Sequence, residues 1–231
     1  MQPESIPFFR SSRLRLPAVI MSLALLPASA QASTTVAMEV LTTVTPAACT
    51  PALSHGGKAN YGVKDMGMLV PGRITALQPF SLRLTITCDV AALFAIKLTD
   101  NRSASMIPGI VASGLGNAAY DDDLNFGLGM ASGARIGGYA IVFDPASYTG
   151  DYRRVQLMAS ADGVSWRHHA SGLGSKRELL SWGAADTTSI SPYKAVEGVL
   201  TVRPFIDKPE HLRLNHEIEL NGSTTLELNY L

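Results

Sequence analysis

Residues Phe80 to Leu98 read FSLRLTITCDVAALFAIKL, and this stretch decides the fold class. Phe80, Leu82, Leu84, Ile86 and Cys88 share one parity, while Ser81, Arg83, Thr85 and Thr87 fall on the other. Successive side chains of an extended chain point to opposite faces, so this is a half-buried strand whose inner face ends in a cysteine. Phe94, Ile96 and Leu98 repeat the alternation at once, across the short connection Asp89-Val90-Ala91. The spacing predicts that the two strands form a hairpin.

The same period of two recurs along the chain, and sustained three-four helical spacing is absent. Leu124–Met130 and Ile136–Phe143 are apolar runs separated by the turn-rich spacer Ala131-Ser132-Gly133-Ala134. Val155–Ala159 leads into Asp162-Gly163, a dipeptide suited to the positive φ angles of a type I′ turn. Val199–Ile206 reads as a strand in which Pro204 removes one donor, which argues for an edge or a bulge there. Ile218 and Leu220 precede Asn221-Gly222, and Leu226, Leu228 and Tyr230 then alternate to the end of the chain. Ser103–Asp123 has no clear period and reads as a surface excursion, and Lys176–Trp182 fits a single helical turn. About nine short strands with frequent Gly and Pro turns make an all-β sandwich, not an α/β fold. Neither an internal repeat nor a composition break marks a second domain.

The first thirty residues combine Arg10, Arg13 and Arg15, an apolar run from Leu16 to Pro27, and small residues at Ala28-Ser29-Ala30 and Ala30-Gln31-Ala32. That is the pattern of a secretory signal peptide, with cleavage expected after Ala30 or Ala32. The apolar run is too short for a spanning helix, which needs roughly 20 residues. The expected organisation is therefore a signal at 1–32, an N-terminal extension and first strand at 33–48, and a sandwich domain at 49–231. The signal holds three of the 19 basic and one of the 19 acidic residues, which leaves a nearly neutral 16 against 18. Binding to nucleic acid releases counterions from a clustered Lys/Arg face, and no such cluster is present, so nucleic acid is not an expected partner.

Cys49 and Cys88 are the only cysteines, and both lie in the part expected to be exported, to the periplasm or the cell surface. Only one intramolecular bridge can form; the alternative is two free thiols. A bridge closing a loop of about 40 residues would stabilise the fold by roughly 4 kcal/mol.

Residues able to carry catalysis are sparse. Of five histidines, His168 and His169 are adjacent and would point to opposite faces of a strand, so they cannot hold one metal together. No Gly-x-Ser-x-Gly, His-Glu-x-x-His or phosphate-binding glycine loop occurs. Ser191-Pro192-Tyr193-Lys194 has the Ser-x-x-Lys spacing without its companion motifs, and its Ser-Pro pair reads as a turn. Asp121-Asp122-Asp123 lacks the alternating acids of a calcium loop and reads as a solvated loop. Asn101 and Asn221 begin glycosylation-like triplets, and Trp166 and Trp182 offer either a sugar platform or core packing. The sequence implies no enzyme, metal or cofactor.

The remaining chemistry belongs to strands. Val36, Met38, Val40 and Val44 share a parity and lead to Cys49 as an amphipathic segment near the expected mature N-terminus. Three such side chains docked in a groove would contribute roughly 5–9 kcal/mol of apolar burial before ordering costs. Two readings stand side by side: a strand donated to another molecule, or an ordinary first strand of the chain's own domain.

A signal peptide, an alternating segment ending at Cys49, a second cysteine at Cys88 and a penultimate Tyr230 together resemble chaperone–usher pilins. More closely, Thr45–Gly57, Asn60–Gly62, Asp100–Arg102, Phe126–Gly129, Ile136–Tyr139 and Asn221–Leu231 resemble, in order, a GltF-like family of unknown function that includes fimbrial-like secreted proteins. The pilin resemblance implies an incomplete immunoglobulin-like sandwich whose missing strand is lent by a periplasmic chaperone and then replaced by the next subunit's extension at an outer-membrane usher. That replacement is strand addition, for which such pilins are a standard example. It implies a Cys49–Cys88 bridge, Val36, Met38 and Val40 as donor residues, Leu226, Leu228 and Tyr230 as the last strand gripped by the chaperone, and Leu231 as its carboxylate anchor. A fimbrial structural subunit in cell adhesion, with neighbouring subunits as partners, is thus the first expectation. A self-complete soluble periplasmic β-sandwich with a binding or regulatory role is the alternative.

Overall fold

The structure, a computed structural model, describes residues 47–213 and 218–231. The expected signal peptide and the segment carrying Val36, Met38 and Val40 lie outside these residues. The strands in chain order are β1 (Cys49–Leu53), β2 (Thr75–Ala76), β3 (Phe80–Ala92) and β4 (Phe94–Asp100). After helix α1 (Ile110–Leu115) come β5 (Phe126–Gly127), β6 (Met130–Ala131), β7 (Ala134–Arg135), β8 (Gly137–Phe143) and β9 (Thr149–Gly150). The last five are β10 (Arg153–Ser160), β11 (Arg167–His168), β12 (Leu179–Ala184), β13 (Tyr193–Ile206) and β14 (Thr224–Tyr230). All pairings are antiparallel, as an all-β sandwich requires.

Strands β3 and β4 alternate as their sequence dictates, with Leu82, Leu84, Ile86, Cys88, Phe94, Ile96 and Leu98 buried. The expected hairpin between them does not form. β3 pairs with β1 and β13, whereas β4 pairs with β12 and β14. Both strands turn their apolar face to one core, so the chain crosses from one layer to the other around Leu93. One layer is built around β1, β3, β13, β8 and β5, and the other around β11, β10, β12, β4 and β14. The two-residue β9 pairs with both β13 and β10 and stitches the layers together on one side.

Between the layers lies a core centred on Trp182, Tyr148, Phe143 and Phe126, with Trp182 against both Phe94 and Tyr148. A smaller cluster covers the outer face: Ile110 and Val111 of α1 pack with Ala140, Leu173 and Phe205. Burial on two faces explains why Gly137–Phe143 reads as a continuous apolar run. It also corrects the reading of Ser103–Asp123, which is partly a helical cover and not only a surface excursion. Asn125, fully buried, donates to the Ile107 carbonyl and the Asp122 carboxylate, and its Oδ1 lies 2.3 Å from where a side chain on residue 138 would begin, so Gly138 is needed there.

Two turn readings and one strand reading change. Asp162-Gly163 does not make a two-residue turn, since β10 stops at Ser160 and β11 starts only at Arg167. Asp162 instead accepts from Ser165 N, Val164 N and Ser160 Oγ, which holds its carboxyl well below the usual range. Positive-φ pairs occur at Ser132-Gly133 (50° and 80°) between β6 and β7, and at Asp151-Tyr152 (47° and 66°) between β9 and β10. Lys176–Trp182 gives strand β12 in place of a helical turn, because its apolar residues pair with β10 and β4. Pro204 sits in interior strand β13, but beyond Val202↔Phe80, where the β3 pairing has ended, so its missing N–H breaks no ladder with β3.

Cys49 and Cys88 form a disulfide across directly opposed positions of β1 and β3. A cross-strand disulfide marks an exported protein, and no described helix is long and apolar enough to cross a membrane. The paired change Cys49→Ala with Cys88→Ala is expected to lower unfolding free energy by about 2–4 kcal/mol. Urea unfolding of the two proteins measures this; an unchanged midpoint would show that β1 is held by other contacts.

A candidate strand-acceptor groove

The eight-strand path through the sheets runs from β1 to β14, and each of these end strands has one partner among the described residues, β3 and β4 respectively. The sandwich is therefore closed on the β9 side and open between β1 and β14. At one end the gap is bridged, where Cys49 N donates to Tyr230 Oη at 2.7 Å. Away from that bridge it widens into a groove of about 630 Å³. Its floor is the core itself: Leu82, Leu128, Ile136, Ile141, Leu200 and Val202. Leu53 of β1 and Leu226 of β14 form facing lips, and Ile218 and Leu220 extend the apolar wall ahead of β14. Lys58, Lys64, Asp65 and Glu219 supply a charged rim.

β1 is five residues long against thirteen in β3, and this mismatch opens the groove. After Leu53 the chain leaves the sheet in a tight turn over Ser54–Gly57, and the Ser54 hydroxyl accepts from Arg83 N in place of a further β1 residue. Tyr61 then lies over the groove, its ring against Phe80 and its hydroxyl donating to the Val202 carbonyl at 3.3 Å.

The motifs that resemble the GltF-like family converge at the start of β14. Asp100 accepts from Arg102 N (2.8 Å) and from Gly127 N (2.9 Å). Asn101 Nδ2 donates to Ser223 Oγ and Thr225 Oγ1, and Arg102 Nε donates to the Asn221 carbonyl. Ser105 Oγ donates to the Arg102 carbonyl and accepts from Gly129 N. Tyr139, stacked on Phe126, shares a 2.6 Å hydrogen bond with Thr224. Gly222 packs on the Tyr139 ring, so its role is close approach. The network pins the entry of β14 to both layers beside the groove.

Of the expected last-strand residues, Leu226 and Leu228 are half-buried and packed on the core, while Tyr230 and Leu231 are 51% and 47% exposed. The remaining polar candidates are not brought together. His168 is exposed and His169 buried. Asp121 caps a turn through Asp123 N, Asp122 accepts from Gly109 N and Asn125 Nδ2, and Asp123 pairs with Arg177. Ser191 accepts from Ala184 N, and Lys194 is exposed. Trp182 is core, so it forms no platform with Trp166. Among the described residues no cluster of His, Cys, Asp and Glu could hold a metal. Sequence reasoning missed the acceptor side of the groove, because Leu53, Leu128 and Ile218 look like ordinary strand residues until β1 and β14 are seen apart.

Fold and bridge define a disulfide-bonded, all-β protein. Residues 38–140 match the family described as "Protein of unknown function (DUF1120)". The chain is 26% identical to the uncharacterized protein YhcF of Escherichia coli K12 over 224 residues, covering 88% of this chain and 93% of that protein. It is 28% identical to protein GltF of the same organism over 243 residues, covering 91% and 94%. The GltF-like family of unknown function expected from the motifs is thus the one these comparisons find. No solved structure matches.

Burial, with the Asp100 carboxylate nearby, pushes the Tyr139 phenol up to about 12 in spite of its bond to Thr224, and burial does the same to Tyr61. The unfolded chain releases these protons near pH 10, so their contribution is intact below that pH and is lost as pH rises toward about 12. Urea midpoints are expected to fall across this window, and to fall less steeply in Tyr139→Phe. Parallel curves for the two proteins would exclude Tyr139 as a source of the alkaline loss.

Proposed function

We propose that this chain is a fimbrial-type structural subunit, assembled by strand addition through a periplasmic chaperone and an outer-membrane usher. The groove between β1 and β14 supports the reading: two strand edges, each with a single partner among the described residues, flank an apolar floor. An unpaired edge with exposed core is an aggregation hazard unless something covers it. A chaperone strand, and later the Val36, Met38 and Val40 segment of a neighbouring subunit, supplies backbone partners and apolar side chains to the groove. Leu226 and Leu228 then form one wall of the bound strand, and Tyr230 and Leu231 remain accessible at the end of β14 for the chaperone. The role is structural and non-enzymatic, in the periplasm and then at the cell surface.

Full-length mature protein is expected to form multimers that survive a non-boiled gel and dissociate on boiling. Protein truncated to begin at Leu41 should fold as a monomer and gain thermal stability when a synthetic peptide of residues 33–45 is added. Full-length protein that stays monomeric, together with a truncation that cannot fold, would reject donor-strand assembly and establish a self-complete sandwich.

A further inference from the structure

β1 pairs with β3 only between Cys88 and Leu84, and from Arg83 to Phe80 the same edge of β3 has no strand beside it among the described residues. What lies there is the segment Ser54–Ile74, which joins β1 to β2. Ser54 Oγ accepts from Arg83 N at 2.9 Å, and the rings of His55 and Tyr61 each meet the Phe80 ring edge-on at 5.8 Å. Tyr61 Oη reaches the Val202 carbonyl, and Lys58–Asp65, Met68 and Leu69 form one wall of the groove. The segment is attached lightly. Its backbone–backbone hydrogen bonds among the described residues run from Lys58 N to His55 O, Met68 N to Asp65 O and Arg73 N to Val70 O, so all stay inside it. Tyr61, Met68 and Leu69 pack partly buried on the core, and Gly72 N donates to Glu210 Oε1 at 2.8 Å. Between these anchors Gly62–Asp65 is exposed, Val63 at 90%.

The segment is also longer than its connection requires. Leu53 lies beside Leu84, which is paired with Gly198, and Thr75 is paired with Ile206. Gly198 and Ile206 are about 26 Å apart at the rise of a strand. The intervening chain, which holds only two short 3₁₀ turns, could span about 70 Å if extended. Loops of this length are commonly lids or binding loops, and few buried contacts make a segment that opens locally. We propose that Ser54–Ile74 is a displaceable cover of the groove. Closed, it seats Tyr61 and Leu69 against the apolar floor and occupies the edge of β3 that β1 leaves free. An added strand gains that edge only after the cover leaves, so apparent affinity falls by the fraction of molecules that are open. The cover thereby guards an aggregation-prone edge until assembly. What enters the groove rests on the strand-addition reading; the closed cover does not.

The test uses the mature, disulfide-bonded chain in its monomeric fraction, with two probes: the apolar-surface dye anilinonaphthalene sulfonate and a fluorescent peptide of residues 33–45. Tyr61→Ala is expected to raise dye fluorescence and to speed peptide association by about tenfold, with dissociation unchanged. Tyr61→Phe keeps the ring on Phe80 and loses the bond to Val202, so both effects should be present but smaller. Tyr152→Ala, on an exposed turn, should change neither. The near-UV spectrum of buried Trp182 verifies folding. Should Tyr61→Ala lose that spectrum, Tyr61→Phe decides alone, and parent-like dye binding and association would overturn the cover. Unchanged dye fluorescence in folded Tyr61→Ala overturns it as well. So does faster peptide dissociation with unchanged association, which would make Tyr61 part of the bound site. A rise in dye fluorescence while no variant binds peptide supports the cover and rejects strand addition.

Discussion

Consecutive strands β3 and β4 carry apolar residues on one face each, and only one short crossing at Leu93 separates them. Had they paired as a hairpin, both apolar faces would have lain on one side of a single sheet, with nothing to cover them. By crossing, the chain turns the faces toward each other and makes a sandwich from adjacent segments. Strands β1, β2, β8, β9, β10 and β14 pair directly with one of these two strands or with β13 and β12 beside them. β1 is held to β3 by pairing and by the Cys49–Cys88 bridge, and β14 is held to β4. The gap between β1 and β14 is thus the far side of the same crossing.

An open gap over a hydrophobic core is costly, and the structure concentrates polar bonding beside it. Asp100, Asn101, Arg102, Ser105 and Tyr139 bind the backbone and hydroxyls around Asn221–Thr225, so the entry of β14 is fixed from both layers. At the opposite end the disulfide holds Cys49 where its N–H reaches Tyr230. With both ends of β14 fixed, the edge that has no partner among the described residues is presented as an ordered row of backbone groups. A rigid edge loses less conformational entropy on receiving a strand than a loose one.

Much of this was legible from alternation. The inward faces of β3, β4 and β14, the disulfide and the all-β class all follow from period-two patterning and two cysteines. Pairing partners were not legible, because Phe80–Cys88 and Phe94–Leu98 specify which face is buried but not which strand lies alongside. Ile136–Phe143 read as an apolar run because α1 covers its second face, a contact made by residues distant in sequence. Asp162-Gly163 carried the composition of a type I′ turn, yet the Asp162 carboxylate found three donors in a longer loop. The pairing of Asp123 with Arg177 was not legible either, since that ion pair joins two loops that only the fold brings together.

The direction of the end strands bears on what completes the sandwich. β1 runs away from the disulfide end, and β14 runs toward it, finishing at Tyr230 beside Cys49. A strand inserted between them must run parallel to one and antiparallel to the other. Residues immediately before Cys49 emerge at the disulfide end, so a strand from the same chain enters the groove from that end. A strand that ends there and continues into β1 as its hairpin partner would run antiparallel to β1 and hence parallel to β14. A strand from another molecule has no such tether and is free to run antiparallel to β14, with the perpendicular hydrogen bonds of that arrangement. An added strand that runs antiparallel to β14 beside Leu226 and Leu228 therefore comes from another molecule, because the tether at Cys49 denies that polarity to the adjoining segment of the same chain.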